Sequence, residues 1–111
     1  MPFDPGLAAR LDELLAGQPG FSPKKMFGGI GWLLNGHMCV GIYKDWLIAR
    51  VGPAAGAELL KQPHVKVMDI TGRPMKGWVM VAPDGIASDR ALKAFITRSV
   101  DFVAALPAKE P

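Results

Sequence analysis

The apolar residues change their spacing several times along the chain, and each change marks an element. Leu7, Leu11, Leu14 and Leu15 recur on one face of a helical wheel, behind Asp4 as N-cap and Pro5 at the first helical position, until Gly17 and Pro19 stop the run. This spacing predicts an amphipathic first helix. From Ile30 the pattern becomes that of strands: Ile30-Gly-Trp-Leu-Leu34, then Asn35-Gly36, then His37-Met-Cys-Val-Gly-Ile-Tyr43. Asn-Gly is the pair that a type I′ turn selects, because both of its positions need a positive φ, so the stretch predicts a β-hairpin. A short turn at Lys44-Asp45 leads into Trp46-Leu-Ile-Ala-Arg-Val51, which Gly52-Pro53 ends, and a short strand around Lys25–Phe27 is expected to open the meander.

Ala54 to Gln62 predicts a short helix, lowered in propensity by Gly56 and closed by Pro63. Residues 64–76 read mostly as loop, with a short strand at Val65–Met68. Gly77-Trp-Val-Met-Val-Ala82 is a strand stopped by Pro83-Asp84-Gly85, and Ser88 caps a last helix on which Leu92, Phe95, Ile96, Val103 and Leu106 keep helical spacing up to Pro107. The order predicts an α+β fold: an antiparallel β-sheet, a meander plus a late strand, with the N- and C-terminal helices packed on one face. Residues 1–107 are expected to form a single domain, and 108–111 a frayed tail.

A two-residue turn at Asn35-Gly36 also sets an expected register, with Leu34 opposite His37, Leu33 opposite Met38, Trp32 opposite Cys39 and Gly31 opposite Val40. One face then carries Leu33, Met38, Val40, Ile42, Leu47, Ala49 and Val51, with Gly29 and Gly31 as gaps into which a helix side chain fits; this face should carry the helices. The other holds Ile30, Trp32, Leu34, His37, Cys39, Tyr43, Trp46, Ile48 and Arg50, far more apolar than a solvated sheet face. Either the last helix or the 63–76 loop covers it, or it is a surface for a partner or for self-association as a homodimer. For the second case Trp32, Tyr43, Trp46, Ile48 and Arg50 are the anchors, since tryptophan, tyrosine and arginine are enriched there. Arg50 is expected beside Cys39 and near the Trp32 indole, placed for a cation–π contact.

Composition narrows the setting. The 111 residues are 50% hydrophobic and 21% charged, with no apolar run of membrane-spanning length, which points to a soluble globular domain with no membrane partner. The N-terminus lacks the basic and apolar regions of a signal peptide, and the single cysteine, Cys39, leaves no partner for an internal disulfide, so the cytoplasm is the expected compartment. A net charge of +3 is compatible with an anionic partner. Lys24 and Lys25, with Arg73 and Lys76, would form a basic edge if the 63–76 loop folds back, and nucleic acid is the alternative partner on that ground.

The stretch Pro23-Lys-Lys-Met-Phe-Gly-Gly-Ile-Gly31 is rich in glycine, but it lacks the Gly-Lys-Ser/Thr ending of a phosphate loop and leads into a strand instead of a helix. Catalysis finds little to work with. His37 and Cys39 share a face in the expected register, yet a buried inert thiol is the simpler reading. Asp69, Asp84 and Asp89 fall in turns and caps, and His37, Met38 and Cys39 offer too few ligands for a metal site. No catalytic, cofactor or metal site is expected.

Lys24-Lys-Met-Phe-Gly-Gly-Ile-Gly31, Asn35-Gly-His-Met38, Leu47-Ile-Ala-Arg50 and Arg73-Pro-Met-Lys-Gly-Trp-Val79 together resemble the TfoX N-terminal domain family, over nearly the whole chain. Lys25, Met26, Phe27, Gly28 and Gly29 form the most specific block of the match, which Arg50 and Lys76 extend. The resemblance implies a small α+β domain with an antiparallel sheet, without enzymatic activity or cofactor. It is found in regulators of natural competence that act with a cyclic-AMP-responsive transcription factor to switch on DNA-uptake genes. Those regulators carry a second, C-terminal helical domain; this chain, one domain long, is expected to be a stand-alone form. Trp78 stands where the family usually has tyrosine or phenylalanine. The expected role is therefore a non-enzymatic protein-interaction module, accessory to transcriptional or competence-type regulation.

Overall fold

Asp4 caps helix α1 (Pro5–Leu15) as its position predicts: its Oδ1 accepts a 3.0 Å hydrogen bond from the Gly6 N–H, and Pro5 opens the first turn. A computed structural model describes residues 4–26, 29–70 and 72–107. Leu7, Leu11 and Leu15 form the buried stripe of α1. Six strands follow in part: β1 (Phe21–Met26), β2 (Gly29–Leu34), β3 (His37–Tyr43) and β4 (Trp46–Arg50), then helix α2 (Pro53–Leu59), β5 (Val65–Met68) and β6 (Met75–Val81). A 3-10 turn at Pro83–Gly85 leads to helix α3 (Asp89–Ala104), where the Ser88 hydroxyl accepts from the Ala91 N–H at 3.1 Å.

The strands make one antiparallel sheet in the order β1-β2-β3-β4-β6-β5. Asn35 and Gly36 turn the β2–β3 hairpin with φ of 54° and 87°, the pair of positive values that a type I′ turn requires. Two elements are longer than the sequence pattern predicts. β1 starts at Phe21 because it is an edge strand, where Pro23 forfeits no hydrogen bond to an inner neighbour. β6 starts at Met75, two residues before the expected Gly77, because Met75 pairs with Met68 of β5, whose bounds are those expected from the pattern.

The largest correction is the register of the hairpin. Leu34 pairs with His37 and Leu33 with Met38 as expected, but Trp32 then pairs with Val40, Gly31 with Gly41 and Ile30 with Ile42. Cys39 is the extra residue of a β-bulge. A one-residue insertion reverses the face of everything beyond it on one strand relative to the other. Ile30, Trp32, Leu34 and Cys39 therefore join Val40, Ile42, Leu47, Ala49 and Val51 in the core beneath α1, α2 and α3. Leu33 and Met38 pass to the opposite face.

Gly29 has a different neighbour from the helix side chain expected there. A Cβ at this position would overlap the backbone carbonyl of Ile42, so the absent side chain serves the close approach of two strands. At the far end of the sheet, Gly77 holds φ of 87° and its carbonyl accepts from the N–H groups of Val51 and Gly52 at 2.9 and 3.0 Å. Gly52, at φ 88°, is the N-cap of α2. Together they bring α2 hard against β6.

Candidate interaction surface

All three helices use the same side of the sheet: Leu7, Leu11 and Leu15 of α1, Leu59 of α2 and Leu92, Phe95, Ile96 and Val103 of α3 share one core. Among the described residues no helix covers the other side. There Ile48, Met68 and Met80 form a second buried cluster, surrounded by the half-buried Met38, Tyr43, Trp46, Ile70, Met75 and Trp78. Strict alternation in β6 puts Trp78 and Met80 on this side and Val79 and Val81 on the helix side. Methionine is unbranched and polarizable, the side chain that adapts to varied apolar partners.

Cations sit over the aromatic rings of this face. Lys44 Nζ lies 5.5 Å from the centroid of Tyr43 and Lys66 Nζ 4.9 Å from that of Trp46. The Arg50 guanidinium lies 5.5 Å from the Trp78 ring and 5.7 Å from the Phe102 ring. Such contacts fix long side chains against aromatic faces while leaving their charge outward. An apolar, methionine-rich centre with a basic margin results.

Of the anchors expected from sequence, Tyr43, Trp46 and Arg50 lie half-buried on or beside this face. Ile48 belongs to it but is wholly enclosed by its neighbours. Trp32 does not belong to it. The bulge turns it under the helices, where it is 3% exposed and its indole N–H donates to Asp12 Oδ1 at 3.0 Å. Arg50 accordingly stacks on Trp78 and Phe102 instead of on Trp32. Met38, placed by the unbulged register on the helix side, joins this face with Met68, Met75 and Met80; alternation from Trp78 signals Met80 alone, since Met75 reaches the face through the irregular pairing at Met68.

The four basic residues do not come together. Lys24 and Lys25 are exposed on β1, whereas Arg73 and Lys76 lie at and before β6, with three strands in between. At about 4.8 Å per strand the two pairs are separated by roughly 19 Å. Lys25 pairs with Ile30 on the edge of the sheet and Met26 ends β1, while Phe27 and Gly28 of the same motif lie outside the described residues, as do Thr71 and the tail 108–111.

Cys39 is buried on β3, two residues from His37. Burial pushes the thiol up from its ordinary 9.0 to about 12, against a smaller opposing pull from the Arg50 charge, so at neutral pH it is protonated. His37 Nε2 lies 2.7 Å from the carbonyl oxygen of Pro107, tying the hairpin to the end of α3. No helix among the described residues is long and apolar enough to cross a membrane.

An antiparallel sheet with helices on one face and an apolar, basic-rimmed second face defines a small α+β domain. The chain belongs to the TfoX N-terminal domain family, whose pattern it matches over residues 13–103, and is in that sense a competence-regulator-like domain. No individual curated protein matches it.

Proposed function

We propose that the domain is a non-enzymatic protein-interaction module, accessory to transcriptional regulation of the competence type, that binds a protein partner through the uncovered face of its sheet. One observation carries this reading: Trp46, Trp78, Tyr43, Met38 and Met75 surround a buried Ile48–Met68–Met80 cluster on the side that no described helix occupies. Aromatic and methionine side chains at the centre of a patch, with charge at its margin, are the composition of an interface core and rim. Family membership supports the regulatory setting. The margin carries Lys44 and Arg50, with no ion pair among the described residues, and Lys66, 4.0 Å from Asp69, so the partner best suited is apolar at its centre and acidic opposite Lys44 and Arg50. A second copy of the same face would bring like charges together, which disfavours a symmetric dimer through this surface.

The test is affinity capture of partners by the wild-type domain and by Trp46→Ala and Met75→Ala variants, alongside sedimentation of the isolated domain. A specific partner held by the wild type, lost from both variants and released by raised salt is expected. Retention by both variants would refute the surface, and saturable, salt-sensitive capture of DNA or RNA would favour nucleic acid instead.

A further inference from the structure

Two hollows adjoin where β4 runs into α2. One, of about 190 Å³, is walled by Arg50, Lys76, Trp78 and Phe102. The other, of about 320 Å³, continues past Ala57, Leu60, Val67 and Pro74. Pro53, Lys76, Gly77 and Trp78 border both, which makes them chambers of one groove.

The two chambers differ in chemistry. In the first, the Arg50 guanidinium is held by the rings of Trp78 and Phe102, and neither Arg50 nor Lys76 forms an ion pair among the described residues. A positioned guanidinium with no carboxylate is a ready partner for an anion, and its planar donors match a carboxylate. The second chamber is mainly aliphatic. Leu60, the large apolar side chain left most open among the described residues at 41% exposure, stands at its border. An inorganic anion would leave this chamber unfilled, and a purely apolar ligand would leave the two cations unanswered.

The walls are set by backbone. A Cβ on Gly77 would lie 3.2 Å from the carbonyl carbon of Gly52 and from the Pro53 nitrogen, and one on Gly52 would lie 2.5 Å from the Phe102 ring. Main chain packed this closely, and braced by the Val51 and Gly52 hydrogen bonds to Gly77, preforms the groove instead of leaving it to side-chain adjustment. The larger chamber, at about 320 Å³, falls at the lower end of small-molecule sites, about 300–1,000 Å³, which suits a single ring or a medium-length chain.

We propose that this groove binds a small amphipathic carboxylic acid, with its carboxylate against Arg50 and Lys76 and its apolar body along Ala57, Leu60 and Val67. This site is separate from the centre of the interaction face, although Trp78 and the marginal Arg50 border both.

Isothermal titration with octanoate, octanol and acetate, with amide chemical shifts mapped by NMR, tests it. Octanoate is expected to saturate one site, octanol to bind about tenfold or more weakly because it lacks the charge-assisted hydrogen bonds, and acetate not measurably because it lacks the apolar body. Arg50→Gln and Lys76→Gln should each lower octanoate affinity about tenfold or more and leave octanol unchanged. Ala57→Phe should block both by filling the tail chamber, and Trp46→Ala should alter neither. Should Arg50→Gln fail to fold, Lys76→Gln, on an exposed side chain, carries the head-group comparison. Equal affinity for octanoate and octanol, no saturable binding, or shifts confined to the Met38–Trp46 face would overturn the proposal.

Discussion

The indole Nε1 of Trp32, on β2, donates a 3.0 Å hydrogen bond to Oδ1 of Asp12 on α1. The pair joins the first helix to the sheet at the rim of the core, where Asp12 is exposed, and it follows from the bulge at Cys39, which puts Trp32 on the helix side. A neutral donor to a carboxylate contributes about 1.5–3 kcal/mol. Trp32→Phe keeps most of the ring and loses the donor, so urea unfolding should show a loss of that size, whereas Asp12→Asn, which retains an acceptor oxygen, should lose less. Equal and negligible losses would mean that the bond does not hold α1 in solution.

Tryptophan accessibility separates the two faces of the sheet. Variants keeping one indole each, Trp32 in W46F/W78F and Trp46 in W32F/W78F, should differ in acrylamide quenching, with Trp46 quenched readily and Trp32 hardly at all, as their half-buried and 3% exposed positions require. Similar quenching constants would restore the unbulged register.

Gly77→Ala should be among the most destabilising single-methyl additions in the chain. The backbone at φ 87° disfavours a side chain by about 1–2 kcal/mol, and overpacking against Gly52 and Pro53 adds about 1–3 kcal/mol. A loss of roughly 2–5 kcal/mol in chemical denaturation is expected; a change below about 0.5 kcal/mol would show that the contact between α2 and β6 relaxes freely.

Cys39 gives a pH signature. Its thiol is held at about 12 in the folded protein against 9.0 ordinarily, by burial first, so folding favours the protonated form. That contribution is whole below pH 9 and diminishes as the pH rises toward 12, because the unfolded thiol ionises first. The stability of the wild type minus that of Cys39→Ala should therefore be flat up to about pH 8 and fall above pH 9, by at most about 1.4 kcal/mol per pH unit. A thiol reagent at pH 8 should react at the rate of unfolding; fast labelling of the native protein would contradict this burial.

Ser88→Ala removes the acceptor for the Ala91 N–H at the start of α3, an exposed cap. A loss of about 1 kcal/mol, seen as a lowered melting temperature without change in the helical spectrum at low temperature, is expected. No loss would mean that water replaces the hydroxyl fully.

Local chemistry was legible wherever it depends on neighbours in the chain. Asp4-Pro5, Asn35-Gly36 and Ser88 each announce a cap or turn whose geometry follows from its own residues, and the structure has all three. The helical stripes of α1 and α3 were equally plain. Tyr43, Trp46 and Arg50 could be placed because they lie beyond the bulge, where the alternation from Val40 through the Lys44-Asp45 turn to Arg50 runs without interruption.

Trp32 could not be placed that way. Its neighbours Gly31 and Leu33 carry no sign of an extra residue on the opposite strand, and a bulge at Cys39 becomes favourable only when α1 and α3 are present to bury Trp32, Cys39 and Val40 together. The same holds for the groove beside Arg50. Residues 50, 57, 60, 76 and 102 meet there through β4–β6 pairing and the close packing at Gly52 and Gly77, contacts between distant segments. Sequence by itself determined the elements, the turn types and the family, because propensity, capping and alternation are short-range. Tertiary structure decided which face of the sheet is covered and where cations and apolar walls converge, because a single bulge inverts a strand's faces and only the burial of the whole core selects it.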